Sequence, residues 1–380
     1  MTKKQFIRCV AFFVVCAVMA LFLCDVFEQE NTQNNDQRMY SYRNLEKNSI
    51  DAFIMGTSGV DRYWIAAKAY EDYGMTVYPF SSDALPCWLY TEILDEALSY
   101  HTPELIILDI RAFVQDNNSM GTMDVRARRI LDTMPIYSIN RLKAAIKVMK
   151  VMQTVDENAP IIDFSYLFSF IKYHGNWSSD DFRFSNNLGE AEHEYLGFYI
   201  DEEKTIRKMS VSNVAWDPYA QFELDPLSQS ELHRVIEYIK KKNLNVLFID
   251  TPQANTLTRM GRANTIYGIL ESEGIPYIEF NSTDTENFMT IDLDFEKEFY
   301  DARHVNFYGA KKFTDAFAKY LDENYNFTDR RNDEKVAERW GGVYSKLCLK
   351  IQEFEQLAQQ KQQEALQQAG INIITVTNNQ

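Results

Sequence analysis

The chain is poor in the residues that mark collagenous, low-complexity and disulfide-rich proteins. Its 380 residues include only 14 glycines, 9 prolines and 5 cysteines, while 46% of the residues are hydrophobic. The scarcity of glycine and proline excludes the first two classes, and the apolar content excludes a mostly disordered chain. Five cysteines are too few for a disulfide scaffold. This length predicts one large globular domain or two ordinary ones.

Basic residues are outnumbered as well. The chain has 39 lysines and arginines against 55 aspartates and glutamates, a net charge of −16 at pH 7. The first 24 residues hold three of the basic residues and no acidic one, so the rest is more acidic than the whole. Such a body lacks the positive surface that nucleic acid requires. Cysteine and histidine nowhere have zinc-ligand spacing, so we expect no metal site and no cofactor.

One long run without charge extends from Cys9 to Cys24, near the amino terminus. It is slightly short for a bilayer-spanning helix and long for the core of a signal peptide. Basic residues precede it and acidic residues follow it, which places the N-terminus in the cytoplasm. We predict an uncleaved transmembrane signal anchor over residues 1–27, with the rest of the chain outside the cytoplasm. A signal peptide cleaved after Ala20 is the alternative.

Short apolar runs then alternate with amphipathic segments of helical length. The predicted strands are residues 51–57, 76–80, 104–110, 245–250 and 276–280. The predicted helices between and after them are residues 63–73, 85–100, 228–242, 264–273 and 306–324. This alternation predicts an α/β fold, a three-layer α/β/α sandwich with a mainly parallel five-stranded sheet. Reactive groups in such sheets gather at the carboxyl ends of the strands.

The remaining segments set the predicted domain boundaries. Residues 28–47 form a polar tether, residues 48–330 the α/β domain, and residues 331–380 a Gln-rich helical tail. The helical and aromatic insertion at 112–227 is interpreted as a cap over the sheet. Cys87 and Cys348 lie outside the anchor, and whether they pair stays open.

The first motif with chemical meaning is Gly56-Thr57-Ser58-Gly59, at the end of the first predicted strand. A serine on a tight turn between a buried strand and a helix exposes its hydroxyl at the carboxyl edge of the sheet. Backbone N–H groups there can stabilise an oxyanion. The competing interpretation is that Ser58 only caps the following helix.

The second motif, Asp301-Ala302-Arg303-His304, precedes the last predicted helix. The carboxylate can orient the imidazole, and the imidazole can take the proton of a hydroxyl group. A loop histidine beside a helix-capping aspartate is the simpler alternative. Because both motifs follow strands of one parallel sheet, we expect Ser58 and His304 within hydrogen-bond reach, with Asp301 on the other ring nitrogen.

Over residues 50–110 and 230–325, the chain resembles the SGNH (GDSL-like) hydrolase superfamily, which has a flavodoxin-like fold. The resemblance implies that Ser58 is the nucleophile, His304 the general base and Asp301 its orienting acid. Two features depart from the family pattern, since Ser81-Ser82-Asp83 stands where a glycine is usual and Asp109-Ile110-Arg111 where an asparagine is usual. The candidates for stabilising the oxyanion are Gly59, Ser82 and Arg111. An ion pair of Arg111 with Asp109 is the alternative.

The departures, the anchor and the insertion are similar to a membrane-anchored branch that includes D-alanine transfer proteins of teichoic-acid modification and alginate O-acetyltransferases. The stretch Tyr173 to Trp177, followed by Asp181 and Phe182, resembles an aromatic segment of that branch. Its His174 and Trp177 are candidates for lining an acceptor cleft or for ordinary packing. The resemblance implies a bacterial cell membrane location and a membrane-bound O-acyltransferase partner.

The functional hypothesis is an extracytoplasmic acyltransferase or esterase that acts on O-acyl groups of a glycan or wall polymer. The alternative from another class is a catalytically silent accessory protein that binds the polymer or the acyltransferase partner. We interpret the other histidines, His101, His193 and His233, as surface residues.

Overall fold

The computed structural model describes residues 1–27, 35–117, 120–178, 192–282 and 287–368. A five-stranded sheet lies at its centre. The strands are β1 (Ala52–Gly56), β2 (Val77–Ser81), β3 (Leu105–Asp109), β4 (Val246–Asp250) and β5 (Tyr277–Glu279). All four neighbouring pairs are parallel, in the order β2-β1-β3-β4-β5. Every residue of these strands is buried, as expected for a sheet covered on both faces. This confirms the predicted α/β class and parallel sheet.

Helices account for most of the remaining regular structure. They are α1 (Lys3–Val26), α2 (Asn35–Asn44), α3 (Ser58–Asp61), α4 (Ala66–Tyr73), α5 (Tyr90–Tyr100), α6 (Met120–Thr133), α7 (Ile139–Val155), α8 (Ser169–Tyr173), α9 (Pro226–Lys242), α10 (Leu257–Ser272), α11 (Phe307–Asn324), α12 (Glu334–Trp340) and α13 (Val343–Gln368). A two-stranded antiparallel hairpin of β6 (Phe299–Asp301) and β7 (His304–Val305) precedes α11.

The strand order explains where the helices lie. The chain leaves β1 in one direction to form β2 and then returns across β1 to form β3, β4 and β5. Right-handed crossovers therefore place α4 on one face of the sheet and α5, α9 and α10 on the other. Consistently, α4 contacts α11, and α5 contacts α9. The direction of winding reverses between β1 and β3. At such a switch point α/β sheets have a crevice outside the carboxyl ends of the strands, which holds their reactive groups.

The helix α1 is long and apolar enough to cross a membrane. Within Lys3–Cys24, an 18-residue window has a mean hydropathy of 2.7 and lies outside the buried core of the body. A capping box at Thr2 starts the helix. Its carboxyl end contacts α8, where the Ser169 hydroxyl donates to the Cys24 carbonyl at 2.9 Å. Helix α1 is therefore held to the body at its carboxyl end.

The predicted polar tether is wrong for residues 35–47. This segment contains α2, whose Arg38 and Tyr42 side chains are fully buried. The Tyr42 ring packs against Phe80 with centroids 4.5 Å apart, and Arg38 donates to the Ser81 carbonyl at 3.1 Å. The charge of Arg38 therefore reflects buried partners and not exposure to solvent. Residues 28–34 of the tether lie outside the described residues.

The insertion at 112–227 contributes to two regions. Its helix α7 packs against α5, on the outer side of one helical layer. Residues 192–225 instead follow the carboxyl edge of the sheet, where the Tyr199 amide donates to the Asp61 carbonyl at 2.8 Å and the Met209 amide to the Phe299 carbonyl at 2.8 Å. This second part therefore borders the crevice.

The C-terminal segment is packed on the body over much of its length. Trp340 of α12 and Leu347 and Ile351 of α13 are buried in the same core as the sheet. The Trp340 ring lies 5.6 Å from that of Tyr70 in α4. The Gln-rich part of α13 is exposed up to Gln367. The apolar stretch 371–377 lies outside the described residues.

Two of the three histidines predicted to be at the surface are buried. His101 lies with Nε2 2.8 Å from the Tyr42 carbonyl. The Nδ1 atom of His193 accepts from two backbone amides, Tyr195 and Gly197. Burial, with the nearby charge of Arg38, lowers the pKa of His193 to about 3. Their partners are backbone groups, which leave no signature in the sequence.

Among the predicted helices, the one at residues 264–273 differs most from the structure in where it starts. Helix α10 begins at Leu257 rather than at residue 264, because the Thr256 hydroxyl accepts from the Arg259 amide at 3.2 Å and starts the helix earlier. The charged residue Arg259 inside the first turn is paired with Asp250 at the end of β4.

Candidate active site

Ser58 lies at the carboxyl end of the central strand β1. Thr57 is the N-cap of α3, and its hydroxyl accepts from the Gly59 amide at 3.4 Å. Ser58 is therefore the first helical residue and is not the capping serine of the alternative interpretation. Its Oγ lies 2.8 Å from Nε2 of His304. The turn leaves the serine hydroxyl available for this contact.

His304 and Asp301 lie on the β6–β7 hairpin, next to the start of α11. Nδ1 of His304 is 2.9 Å from both carboxylate oxygens of Asp301. The cap of α11 is Asn306, which accepts from the Tyr308 and Gly309 amides at 3.0 and 3.2 Å. Asp301 is thus free to orient the imidazole, and the capping role falls to another residue.

The glycine at position 309 allows this hairpin to lie close to α11. A Cβ atom there would come within 2.7 Å of both the Glu298 carbonyl oxygen and the Val305 side chain. A larger residue would push the hairpin, and His304 with it, away from the sheet.

The charges around the imidazole favour its neutral form. Burial lowers the pKa of His304, and the nearby guanidinium groups of Arg62 and Arg111 act in the same direction, against Asp301. Burial alone would raise the pKa of Asp301, but the hydrogen bond and charge of His304, together with backbone hydrogen bonds from Arg303 and His304, outweigh burial and lower the pKa. An ionised carboxylate only accepts hydrogen bonds, so Nδ1 carries the proton and Nε2 is left to accept from Ser58.

Arg111, after β3, is buried on the other side of the crevice from Ser58. Its guanidinium donates to the carbonyls of Arg303 at 2.8 Å, Pro252 at 3.0 Å and Thr251 at 3.3 Å. Its bond to Asp109 is through the backbone amide, at 3.4 Å, and no side-chain ion pair joins the two. Among the described residues, Nε of Arg111 has no hydrogen-bond partner. The alternative ion pair with Asp109 is therefore not what holds the guanidinium.

Gly59 packs directly on this guanidinium. A Cβ atom at position 59 would lie 2.6 Å from Cδ and Nε of Arg111. The absence of a side chain thus brings the Arg111 charge next to the Ser58 backbone. The other candidate, Ser82, is fully buried, and its amide donates to the Gly56 carbonyl at 3.3 Å. That amide is engaged in extending the β1–β2 pairing and does not face the Ser58 hydroxyl.

Three residues near the triad were missed by sequence reasoning. The Tyr300 ring stacks on His304 with centroids 5.4 Å apart, and its hydroxyl accepts from Nε of Arg62 at 2.7 Å. Arg62 also pairs with Asp83 at 2.6 Å. Tyr63 donates to the Arg303 carbonyl at 2.9 Å, and the Arg111 guanidinium lies 4.8 Å from its ring centre. In the sequence, only the position of Tyr300 directly before Asp301 could have indicated that one of these residues lies near the triad.

The aromatic segment after α8 lies elsewhere. His174 is exposed, with Nδ1 3.1 Å from the Ile171 carbonyl, and Trp177 is 71% exposed. This segment adjoins α8, which contacts α1. None of their described contacts involves the triad, so the structure does not bring them to it. Asp181 and Phe182 lie outside the described residues.

The described ranges contain no group of three or more histidine, cysteine, aspartate or glutamate side chains that could hold a metal ion. Cys87 is a buried free thiol and Cys348 a partly buried one, so the two do not form a disulfide. Comparisons with protein-family models and with curated proteins find no match to this chain. Ser58, His304 and Asp301 have the geometry in which a base and its orienting acid can activate a serine hydroxyl.

Proposed function

We propose that this chain is an SGNH-like serine acyltransferase or esterase that acts on O-acyl groups of a cell-envelope polysaccharide or wall polymer. One observation carries the proposal. Ser58, His304 and Asp301 form a continuous hydrogen-bonded chain, with 2.8 Å from hydroxyl to imidazole and 2.9 Å from imidazole to carboxylate. These three side chains lie at the carboxyl edge of a parallel sheet, beside the crevice where such sheets hold their reactive groups.

The proposed reaction has two halves. Ser58 Oγ bonds to the acyl carbonyl carbon, and its proton passes to Nε2 of His304. The bond from that carbon to the leaving oxygen then breaks, and His304 returns the proton to the leaving group. In the second half an acceptor hydroxyl gives its proton to Nε2 of His304, and its oxygen bonds to the acyl carbon. The bond from that carbon to Ser58 Oγ then breaks, and His304 returns the proton to Ser58. Water in place of the hydroxyl makes the reaction hydrolysis.

Arg111 supplies the positive charge for the oxyanion in this proposal. Its guanidinium abuts Gly59, is held by three backbone carbonyls, and has its Nε–H unpartnered within the described part of the chain. A fixed cation beside the nucleophile stabilises developing negative charge without reorganising. It takes the place of the glycine and asparagine that the resembled family uses.

The location is part of the same proposal. Helix α1 would anchor the protein in a bacterial cell membrane with its amino terminus in the cytoplasm, because basic residues precede the apolar stretch. The catalytic domain would then face the cell envelope, where a membrane-bound O-acyltransferase supplies acyl groups. The acidic body agrees with a partner other than nucleic acid.

Transfer and hydrolysis are separated by the choice of acceptor. With an activated acyl ester as donor, we expect acyl groups to appear on an added glycan acceptor and to fall to background in Ser58→Ala. Positioning a second hydroxyl in the crevice is worth up to roughly 7–11 kcal/mol in well-aligned cases, enough to outcompete water. Mass spectrometry of the acceptor measures the outcome. Release of the acyl group only to water, with Ser58 plainly acylated, would leave an esterase.

The pH dependence of Ser58 reactivity follows from the charges around His304. Because burial and the two guanidinium groups lower the pKa of His304 below its ordinary value of 6.5, the imidazole stays neutral into mildly acidic solution. The rate of labelling by a fluorophosphonate should therefore fall in acid with a midpoint below pH 6.5. In Arg111→Gln the loss of a neighbouring cation raises that pKa, so the acid limb should move to higher pH. If the acid limb of the labelling rate stays at the same pH in Arg111→Gln, His304 is not the titrating group.

A further inference from the structure

The end of α1 fixes where a bilayer surface would meet the body. Three residues of its last turns, Leu21, Phe22 and Cys24, share an open groove of about 450 Å³ with Ile136 and Tyr137 of the body. Leu21, Phe22 and Cys24 belong to the stretch that is long enough to span a membrane. The body residues that line the same groove must then lie at the depth of the lipid headgroups.

The body carries exposed apolar side chains at this groove, where Tyr137 lies, at the start of α7 and in the segment that precedes α8. They are Tyr137, Ile139, Leu142, Ile161, Ile162 and Phe164, which together we name the membrane-proximal patch. Tyr137 is 85% exposed and Ile161 80% exposed. Large apolar side chains clustered in this way mark a surface that contacts a membrane or another protein.

The patch is continuous with the contact between α1 and the body. Ile139 and Leu142 are three residues apart and share one face of α7. The loop that carries the other members lies against the same helix, since the Asp163 amide donates to the Met149 sulfur at 3.2 Å. That loop leads directly to α8, which binds the end of α1 through Ser169. The segment before α8, which carries part of the patch, therefore leads to the contact with α1, the helix that is apolar enough to enter a bilayer.

We propose that the membrane-proximal patch docks the body on the phospholipid bilayer beside α1, with its apolar side chains inserted at the headgroup boundary. Tyrosine is enriched at that depth, where its ring is apolar and its hydroxyl is hydrated. Two arginines, Arg43 and Arg141, line the same groove, and their guanidinium groups donate to the carbonyls of Thr133 and Met134. The inference rests on the membrane location in the proposed function. It adds that the body lies on the membrane in one orientation, which sets the height of Ser58 above the lipid.

The test places a tryptophan in the patch of the full-length chain. Tyr137→Trp and Ile162→Trp are compared with Tyr219→Trp, a 91% exposed tyrosine beside α10 at the opposite edge of the sheet. Each protein is reconstituted in nanodiscs of ordinary or brominated phosphatidylcholine. Since bromine in the acyl chains quenches only nearby indoles, we expect loss of the added fluorescence at positions 137 and 162 and no loss at position 219.

Three outcomes would overturn the proposal. If brominated lipid quenches the tryptophans at positions 137 and 162 no more than the one at position 219, water or a protein partner covers the patch. Equal quenching at all three positions would mean that the body has no preferred orientation. A chain that stays out of the nanodisc would remove the anchor and the docking together. The experiment is repeated in Ser58→Ala, where unchanged quenching separates docking from the acyl chemistry.

Discussion

Replacing Ser58 with alanine is expected to abolish covalent labelling by a fluorophosphonate and to lower turnover of an activated acyl ester by about 10⁴-fold or more. In the proposed mechanism the Ser58 hydroxyl, 2.8 Å from Nε2 of His304, is the activated nucleophile. Asp301→Asn should reduce the rate comparably while leaving the fold intact, because an amide can hold the imidazole in the wrong tautomer. Labelling is read on a gel, and the fold is checked by circular dichroism.

The matched control is Ser82→Ala. Ser82 is also a serine just after the carboxyl end of a strand, here the edge strand β2, and its buried hydroxyl has no hydrogen-bond partner in the described ranges. Its removal should leave labelling and turnover unchanged. If the probe ignores the wild-type protein while labelling a control serine hydrolase, the accessory role is the better account. Labelling that persists in Ser58→Ala would show that another residue is the nucleophile.

Replacing Arg38 with methionine is expected to lower the free energy of unfolding by about 3–5 kcal/mol, the usual effect of removing one partner from a buried ion pair. Arg38 and Asp61 are both fully buried, with 2.8 Å between their charged groups. The guanidinium also donates to the carbonyls of Gly197 at 2.8 Å and Ser81 at 3.1 Å. The variant would leave Asp61 with one guanidinium partner in place of two and two carbonyls without a donor. Urea denaturation of the detergent-solubilised chain gives the free energy.

The control for this change is Arg331→Met. Arg331 also pairs with an aspartate, Asp329, at 2.7 Å, but both side chains are about half exposed. An exposed pair contributes less than about 1 kcal/mol, so this variant should unfold almost like the wild type. The double variant Arg38→Met with Asp61→Asn should recover part of the loss, since it removes the buried carboxylate that has lost one of its two guanidinium partners. Equal destabilisation by the two single variants would refute the buried-pair argument.

The sheet was the most predictable part of the fold. All five strands lie within two residues of their predicted bounds, because each is a short apolar run between turn or helix signals. The tether was predicted wrongly from the same kind of pattern. Its Arg38 looks like a solvated charge in sequence, but the structure supplies a carboxylate and two carbonyls from three other segments. Hydropathy describes a residue and not the partners that surround it.

The candidate site divides in the same way. Ser58 and the pair Asp301 and His304 were identified because each motif is contiguous in the chain and follows a strand. Arg62 was missed, since its partners Asp83 and Tyr300 are distant in sequence. His101 and His193 were placed at the surface because their partners are backbone groups. Such contacts depend on the path of the chain and not on the identity of a neighbouring residue.

The sequence by itself determined the alternation of strands and helices, the apolar N-terminal stretch and the two polar motifs, because these are local patterns of hydrophobicity and residue type. The tertiary structure alone decided that Ser58 and His304 meet across 2.8 Å and that Arg111 abuts Gly59. It alone also decided that α2 is packed into the body and that apolar side chains surround the end of α1. The physical reason is that burial, charge pairing and hydrogen bonds to carbonyls are formed between segments brought together only by the crossovers of the sheet.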